Sequence, residues 1–343
     1  MSKVVYLLGA GASYGKRDIN EPTNSINRIV EGLPIVNEIS NEIDVVINEL
    51  GNLKSESTEV YNWQGEKRDF KFMLNVIIDG LRWLKNEASN HATIDTFAKK
   101  IYLKDDRISY GKLKFFLTSF FLIEQSIHGI DKRYDTFFAN ILDSNLNIPN
   151  DIFIMTWNYD NQLDIAYRDY CNKPLSIYNP VEPQNDGHAK VFKINGSANC
   201  YNINQIDASI HTKESLTTLL DKICNQACIA NEDKKEWSSG VIDLLFAWEK
   251  DFLKKHSEKL FNNISDTEIL IIIGYTFPFF NRDTDKMIFE NMPNLKQIYI
   301  QDPLAEDVRD FLYSALTEVQ RKQLIPSVKL VKNTTNFFLP PEL

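Results

Sequence analysis

Residues Val4 to Tyr14 read VVYLLGAGASY, an apolar run that breaks into Gly9-Ala10-Gly11-Ala12-Ser13. Small residues directly after a buried strand bring backbone N–H groups close to a ligand. A helix starting there offers partial positive charge to a phosphate. Gly9 and Gly11 permit a tight turn and close backbone approach. The spacing continues to Gly15 as G-x-G-x-x-x-G, not the G-x-G-x-x-G of nicotinamide-dependent dehydrogenases. The competing reading is a strand-to-helix turn that binds nothing. The position straight after a strand favours nucleotide binding over it.

Other polar groups recur after apolar runs. Ile152–Thr156 leads into Trp157-Asn158-Tyr159-Asp160 and then Asn161-Gln162-Leu163-Asp164. Val191–Ile194 leads into Asn195-Gly196-Ser197, and Ile269–Ile273 into Gly274-Tyr275-Thr276-Phe277-Pro278. Gln297–Gln301 leads into Asp302-Pro303. Each alone reads as a turn or helix cap. Together they would line one crevice with amides, hydroxyls and carboxylates, suited to phosphates and riboses.

The elements that must position these groups are strands apolar on both faces, the mark of a parallel sheet buried on both sides. Long helical stretches separate them. Phe70–Glu87 and Tyr110–His128 carry apolar and aromatic residues at helical spacing, which reads as core. Asn52–Lys67 is polar and reads as a loop, and Asp283–Met292 as a helix. The fold class expected is α/β, a Rossmann-like, mostly parallel sheet with large helical insertions. Residues 1–34, 149–212 and 261–343 would form the core, and 35–148 a helical insertion. Residues 213–260 would form a second helical block anchored by Trp237 and Trp248. Ligands of such sheets bind beyond the carboxyl ends of the strands.

The chain has 343 residues, enough for a large core, with 38 basic and 47 acidic residues and a formal charge of −9. That balance argues against extended contact with nucleic acid. It leaves room for a single phosphate pocket fed by backbone amides. No signal peptide is evident and Ile269–Ile273 is too short to span a bilayer, so a cytoplasmic, membrane-free protein is expected. Cys171, Cys200, Cys224 and Cys228 lack zinc-ribbon spacing, and no metal is expected. His188 reads as a surface residue and His128 as a helix-end cation. His91 precedes the helix that starts near Ile94, and Asp95 reads as a cap or first-turn charge of that helix.

In these motifs the chain resembles the sirtuin-like superfamily, in its bacterial NAD-consuming branch associated with anti-phage defence. The resemblance rests on GAGAS at Gly9–Ser13, TWNYD at Thr156–Asp160, NGS at Asn195–Ser197 and GYTFPFFN at Gly274–Asn281. IDTFA at Ile94–Ala98 and Asp302 after the terminal strand add to it. The matches span almost the whole chain in order. The resemblance implies that Gly9, Ala10, Gly11, Ala12 and Ser13 hold a pyrophosphate. Asn158 would orient water at the nicotinamide ribose, with Asp160 fixing the loop or polarising that water. Thr156, Gly196 and Ser197 would contribute to the nucleotide site, Gly274 and Thr276 would meet the adenosine side, and Asp302 its ribose. The missing zinc ribbon separates the chain from protein deacylases and favours cleavage or binding of the dinucleotide itself. The departure is Asn195, where the family has histidine. An amide cannot accept a proton near neutral pH.

The leading reading is an NAD glycohydrolase that releases nicotinamide and ADP-ribose, acting as a regulated defence effector. A homo-oligomer or a regulatory partner protein is expected. The alternative is a catalytically weak or inactive nucleotide-binding or interaction module. A dehydrogenase is disfavoured by the glycine spacing, and by the absence of an acidic residue at the end of a second strand.

Overall fold

The computed structural model describes residues 3–15, 31–53, 59–61, 67–178, 189–200, 216, 219–220, 222–224, 242–249 and 258–343. His188, Trp237 and Cys228 lie outside them. β1 (Lys3–Leu8) begins the chain. β2 (Glu59–Tyr61) and β3 (Lys67–Asp69) pair antiparallel, so part of the span expected to be a loop is a small hairpin. β4 (Ile152–Thr156), β5 (Ile177–Tyr178) and β6 (Val191–Lys193) follow the first helices. β7 (Gly196–Cys200) and β8 (Ile242–Leu244) pair antiparallel in a separate ladder. β9 (Thr267–Ile273), β10 (Gln297–Gln301) and β11 (Val328–Val331) complete the strands described.

The main sheet has the order β11-β10-β9-β1-β4-β6-β5, and every pairing is parallel. This is an α/β, Rossmann-like sheet with helical insertions. Its strands are apolar on both faces because both faces are covered. On one side Val5, Leu7, Met155, Leu270, Ile272 and Ile300 pack with Phe289 and Leu312. On the other, Tyr6, Leu8, Ile154 and Ile271 pack with Phe137, Phe138 and Leu163.

The first insertion contains α1 (Ile39–Asn52), α2 (Phe70–Asn90), α3 (Ile94–Leu103) and α4 (Arg107–Ile127). Asp69, Thr93 and Asp106 cap the last three by accepting the amides of Phe72, Thr96 and Ser109. α5 (Arg133–Ile141) and α6 (Gln162–Cys171) then cover one sheet face, while α7 (Arg282–Glu290) and α8 (Ala305–Ala315) cover the other.

The expected helical block over 213–260 is in part extended. The strand Ile242–Leu244 is followed by a turn at Phe246–Glu249, and Leu244, Phe246 and Trp248 pack in the core of α1–α4 while Ala247 packs in the sheet core. A short apolar run buried on both sides does not show by periodicity whether it is strand, turn or helix. The two insertions share one core, since Leu219, Leu220 and Ile223 also pack among α1–α4. Among the described residues, no helix is long and apolar enough to cross a membrane.

Candidate functional site

Strand register assembles the site. Leu8, the last residue of β1, is level with Thr156 of β4 and Ile273 of β9. Ile273 is level with Gln301, and Thr156 with Lys193. The residues that follow, Gly9, Trp157, Gly274, Asp302 and Ile194-Asn195, therefore leave the sheet at one carboxyl edge. Backbone bonds carry the alignment past the strands. Trp157 N donates to Leu8 O, Gly9 N to Ile273 O, Gly274 N to Gln301 O and Ile194 N to Thr156 O.

The glycine loop packs directly on Gly274. That residue has a φ of +59°, and a Cβ there would lie 2.4 Å from Gly11 Cα. Only glycine fits this crossing. The expected helix after β1 is a three-residue 3-10 turn, Ala10–Ala12. Of the five loop amides expected to cradle a pyrophosphate, four are engaged within the protein. Gly9 donates to Ile273 O, Gly11 to Gly274 O, Ala12 to Gly9 O and Ser13 to Ala10 O. Ala10 is exposed, and its amide has no partner among the described residues. Bonds to Ile273 and Gly274 and within the turn itself consume four of the five donors that the sequence offered to a phosphate.

Ser13 faces inward. It is 1 % exposed, and its hydroxyl donates to Asp160 Oδ1 at 3.1 Å. Asn158 Nδ2 donates to Ser13 Oγ at 3.1 Å and to Gly9 O at 2.9 Å. Tyr134 Oη lies 3.0 Å from Ser13 Oγ, and with the serine proton on Asp160 the phenol is the donor. Ser13, expected among the pyrophosphate contacts, instead fixes the two residues expected to be catalytic. Gly9 O can only accept, so the Asn158 amide has one orientation and presents Oδ1 as its remaining group. Thr156 Oγ1 accepts from Asn158 N at 3.0 Å, which commits that hydroxyl to the turn.

Burial pushes the Asp160 carboxyl above its ordinary range, against the Gln162 amide, the Lys193 charge and the Ser13 hydroxyl, which all favour the carboxylate. Beneath the turn, Lys193 donates to Asp160 O at 2.8 Å and to Asn161 Oδ1 at 2.7 Å, and pairs with Asp164 at 2.6 Å. Asn195 Nδ2 donates to Trp157 O at 3.2 Å. This leaves Asn195 Oδ1 buried without a hydrogen-bond partner among the described residues.

The remaining expected residues are exposed or engaged in local structure. Thr276 is exposed. Asp302 Oδ1 accepts from Leu304 N at 2.8 Å, so one of its oxygens serves the turn before α8. Gly196 and the buried Ser197 lie in β7, paired with β8. Several site residues escaped the sequence reading. Arg133 donates to Gly11 O at 2.9 Å and pins the loop to α5. Gln125 of α4 accepts from Asn161 N at 2.7 Å, and Tyr159 packs on Phe121 and Phe246. The helical insertion therefore grips the Asn158–Asn161 turn. Tyr275 donates to both oxygens of buried Asp285 at 2.9 Å and stacks on Trp157. Gln125 sits in a segment whose apolar pattern reads as ordinary core and Arg133 outside the motifs, while Tyr159 and Tyr275 lie inside Thr156–Asp160 and Gly274–Asn281 with no role assigned to them.

Away from the turn, Glu42 of α1, Glu124 of α4 and His128 at the end of α4 bring three potential metal-ligand atoms within 4.8 Å of one another. These donor types suit a divalent cation. Cys171 and Cys224 are buried thiols. No family model and no curated protein matches this chain.

Proposed function

We propose that the protein is an NAD glycohydrolase of the sirtuin-like kind, cleaving the bond between nicotinamide and ribose. One observation carries this reading. Asn158 is held by Gly9 O and Ser13 Oγ at the carboxyl edge of a parallel sheet, with its amide oxygen left over. Such edges are where ligands of open α/β sheets bind. In this reading Asn158 Oδ1 accepts a hydrogen bond from the attacking water or from a ribose hydroxyl. The buried Asn195 Oδ1 takes a second ligand donor, which removes the cost of an unpaired acceptor. The C–N bond breaks with its electrons passing to the pyridinium nitrogen. Water oxygen bonds to the anomeric carbon and releases one proton. Asp160 is the carboxylate of this constellation and holds the turn through Ser13 and the Gln162 amide. Regulation by a partner or by assembly is part of the proposal, because unrestrained NAD loss is toxic to a cell.

A second reading is an adenine-nucleotide binding module. Asn195 favours it, since an amide offers no base and loss of one costs about 10²–10⁴ in rate. The deciding experiment incubates purified protein with NAD and assays free nicotinamide, with calorimetric titration of ADP-ribose alongside. Release that vanishes in Asn158→Ala supports the enzyme. Binding without release supports the module, and absence of both removes the two readings.

A further inference from the structure

Lys193 is 1 % exposed at the end of β6, level with Thr156 at the end of β4. A buried ammonium is costly unless its donors are all used. Here the ammonium donates to Asp160 O at 2.8 Å and to Asn161 Oδ1 at 2.7 Å, and its charge is paired with Asp164 Oδ2 at 2.6 Å. Two of these partners belong to the turn that follows Asn158, and the third to the first turn of α6. A lysine serving only α6 would need Asp164 alone. This one reaches back to the backbone between Asp160 and Asn161.

The groups around Asp160 come from several elements. Ser13 and Tyr134 approach from the glycine loop and α5, Gln162 and Asp164 from α6, and Lys193 from β6. The Arg133–Asp131 pair stands at the start of α5, and both of its members also act on Tyr134. Among those that act on Asp160 directly, Lys193 is the cation and Asp164 the like charge.

We propose that Lys193 is a positioning residue of the site, its ammonium tying the Asn158–Asn161 turn to β6 and supplying the positive charge on which the Asp160 carboxylate depends. This deepens the reading of the crevice as a nucleotide site. It also makes a claim about Asp160 that holds whether or not the nucleotide is cleaved. Without Lys193, Asp160 faces burial and Asp164 with only hydrogen bonds to hold its charge.

The test follows the Asp160 side-chain carboxyl by ¹³C NMR in aspartate-labelled protein, assigned by its loss in Asp160→Asn. Its titration is compared in wild type, Lys193→Met and Lys193→Arg. The expected result is a midpoint raised by about 1 pH unit or more in Lys193→Met, and a smaller shift in Lys193→Arg. Nicotinamide release, where wild type shows it, should fall off at correspondingly higher pH in Lys193→Met. A midpoint unchanged in a folded Lys193→Met protein overturns the proposal, because a purely structural lysine predicts that. Should Lys193→Met fail to fold, Lys193→Met with Asp164→Leu removes both buried charges together, a change that proteins often tolerate. The ammonium that touches Asp160 O is gone there too, so the midpoint should still rise, and no rise overturns the proposal. Absence of nicotinamide release in wild type would count against the glycohydrolase reading alone, since the titration still decides the role of Lys193.

Discussion

Ser13 Oγ stands 3.1 Å from Asp160 Oδ1, and that one hydroxyl joins the glycine loop to the turn after β4. It gives its proton to Asp160 and accepts from both Asn158 and Tyr134, so all its hydrogen-bonding capacity is used. Ser13→Ala leaves three buried groups short of a partner, at about 1–3 kcal/mol each where water cannot reach. The urea midpoint should fall clearly, with nicotinamide release lost. An unchanged midpoint would show that the hydroxyl is not the joint described.

Asn158→Ala removes two buried hydrogen bonds, to Gly9 O and Ser13 Oγ, and the amide oxygen left over at the carboxyl edge of the sheet. Its fold should survive, because Thr156, Ser13 and Lys193 still hold the turn. Nicotinamide release should drop by about 10²-fold or more, the scale on which misplaced reactants cost rate. Release equal to wild type, in protein with an unchanged circular dichroism spectrum, would remove Asn158 from the mechanism.

Asn195→His supplies a proton acceptor beside Trp157 O. If the enzyme reading holds, nicotinamide release should be maintained or raised, increasing with pH as the imidazole loses its proton. Loss of release together with retained ADP-ribose binding would mean that Asn195 Oδ1 meets a ligand donor which histidine cannot serve.

Gly274→Ala should be among the most damaging single-methyl changes in the chain. A Cβ there lies 2.4 Å from Gly11 Cα, and the left-handed backbone alone costs about 1–2 kcal/mol. Differential scanning calorimetry should show a marked loss of stability. Nucleotide binding should weaken with it, because the glycine loop must move to make room.

Burial pushes Asp95 up to about 6 in the folded protein. The folded state therefore holds this proton more tightly than the unfolded chain, whose aspartates titrate near about 3.9. Stability from this group is fully present below the unfolded value and is lost as pH rises through about 6. Asp95→Asn should stabilise the protein at neutral pH and lose that advantage in acid. Urea midpoints measured across this range check the sign, and a variant that is less stable at neutral pH would contradict it.

Much of the frame was legible because burial on both faces writes itself as unbroken apolar runs. Val4–Leu8, Ile152–Thr156, Ile269–Ile273 and Gln297–Gln301 all lie in the one parallel sheet expected for them. Asn158 and Asp160 meet the glycine loop for the reason the sequence suggests, since each follows a strand. The inward turn of Ser13 was not legible, because a serine after a strand has the same local pattern whether it faces a phosphate or a carboxylate. Asp95 looked like a first-turn charge stabilised by its helix, and only the packing around it shows the burial that pushes its carboxyl up. The run from Leu244 to Trp248 misled for a third reason, because two separate cores bury it and its unbroken apolar character does not separate a strand and turn from a helix.

The position of β1 at the centre of the sheet has a consequence for biosynthesis. Its two neighbours, β4 and β9, begin at Ile152 and Thr267, so the ribosome finishes β1 long before either exists. At about 5–20 residues per second, the wait for β9 is on the order of 10–50 s. Until β4 is made this strand has both edges unpaired, and until β9 is made one of them, the state in which strands associate wrongly. The helices of the first insertion, built from local contacts, are made during that interval and can fold first. Yield in the cell should therefore depend on what shelters VVYLL while the rest of its sheet is still being translated.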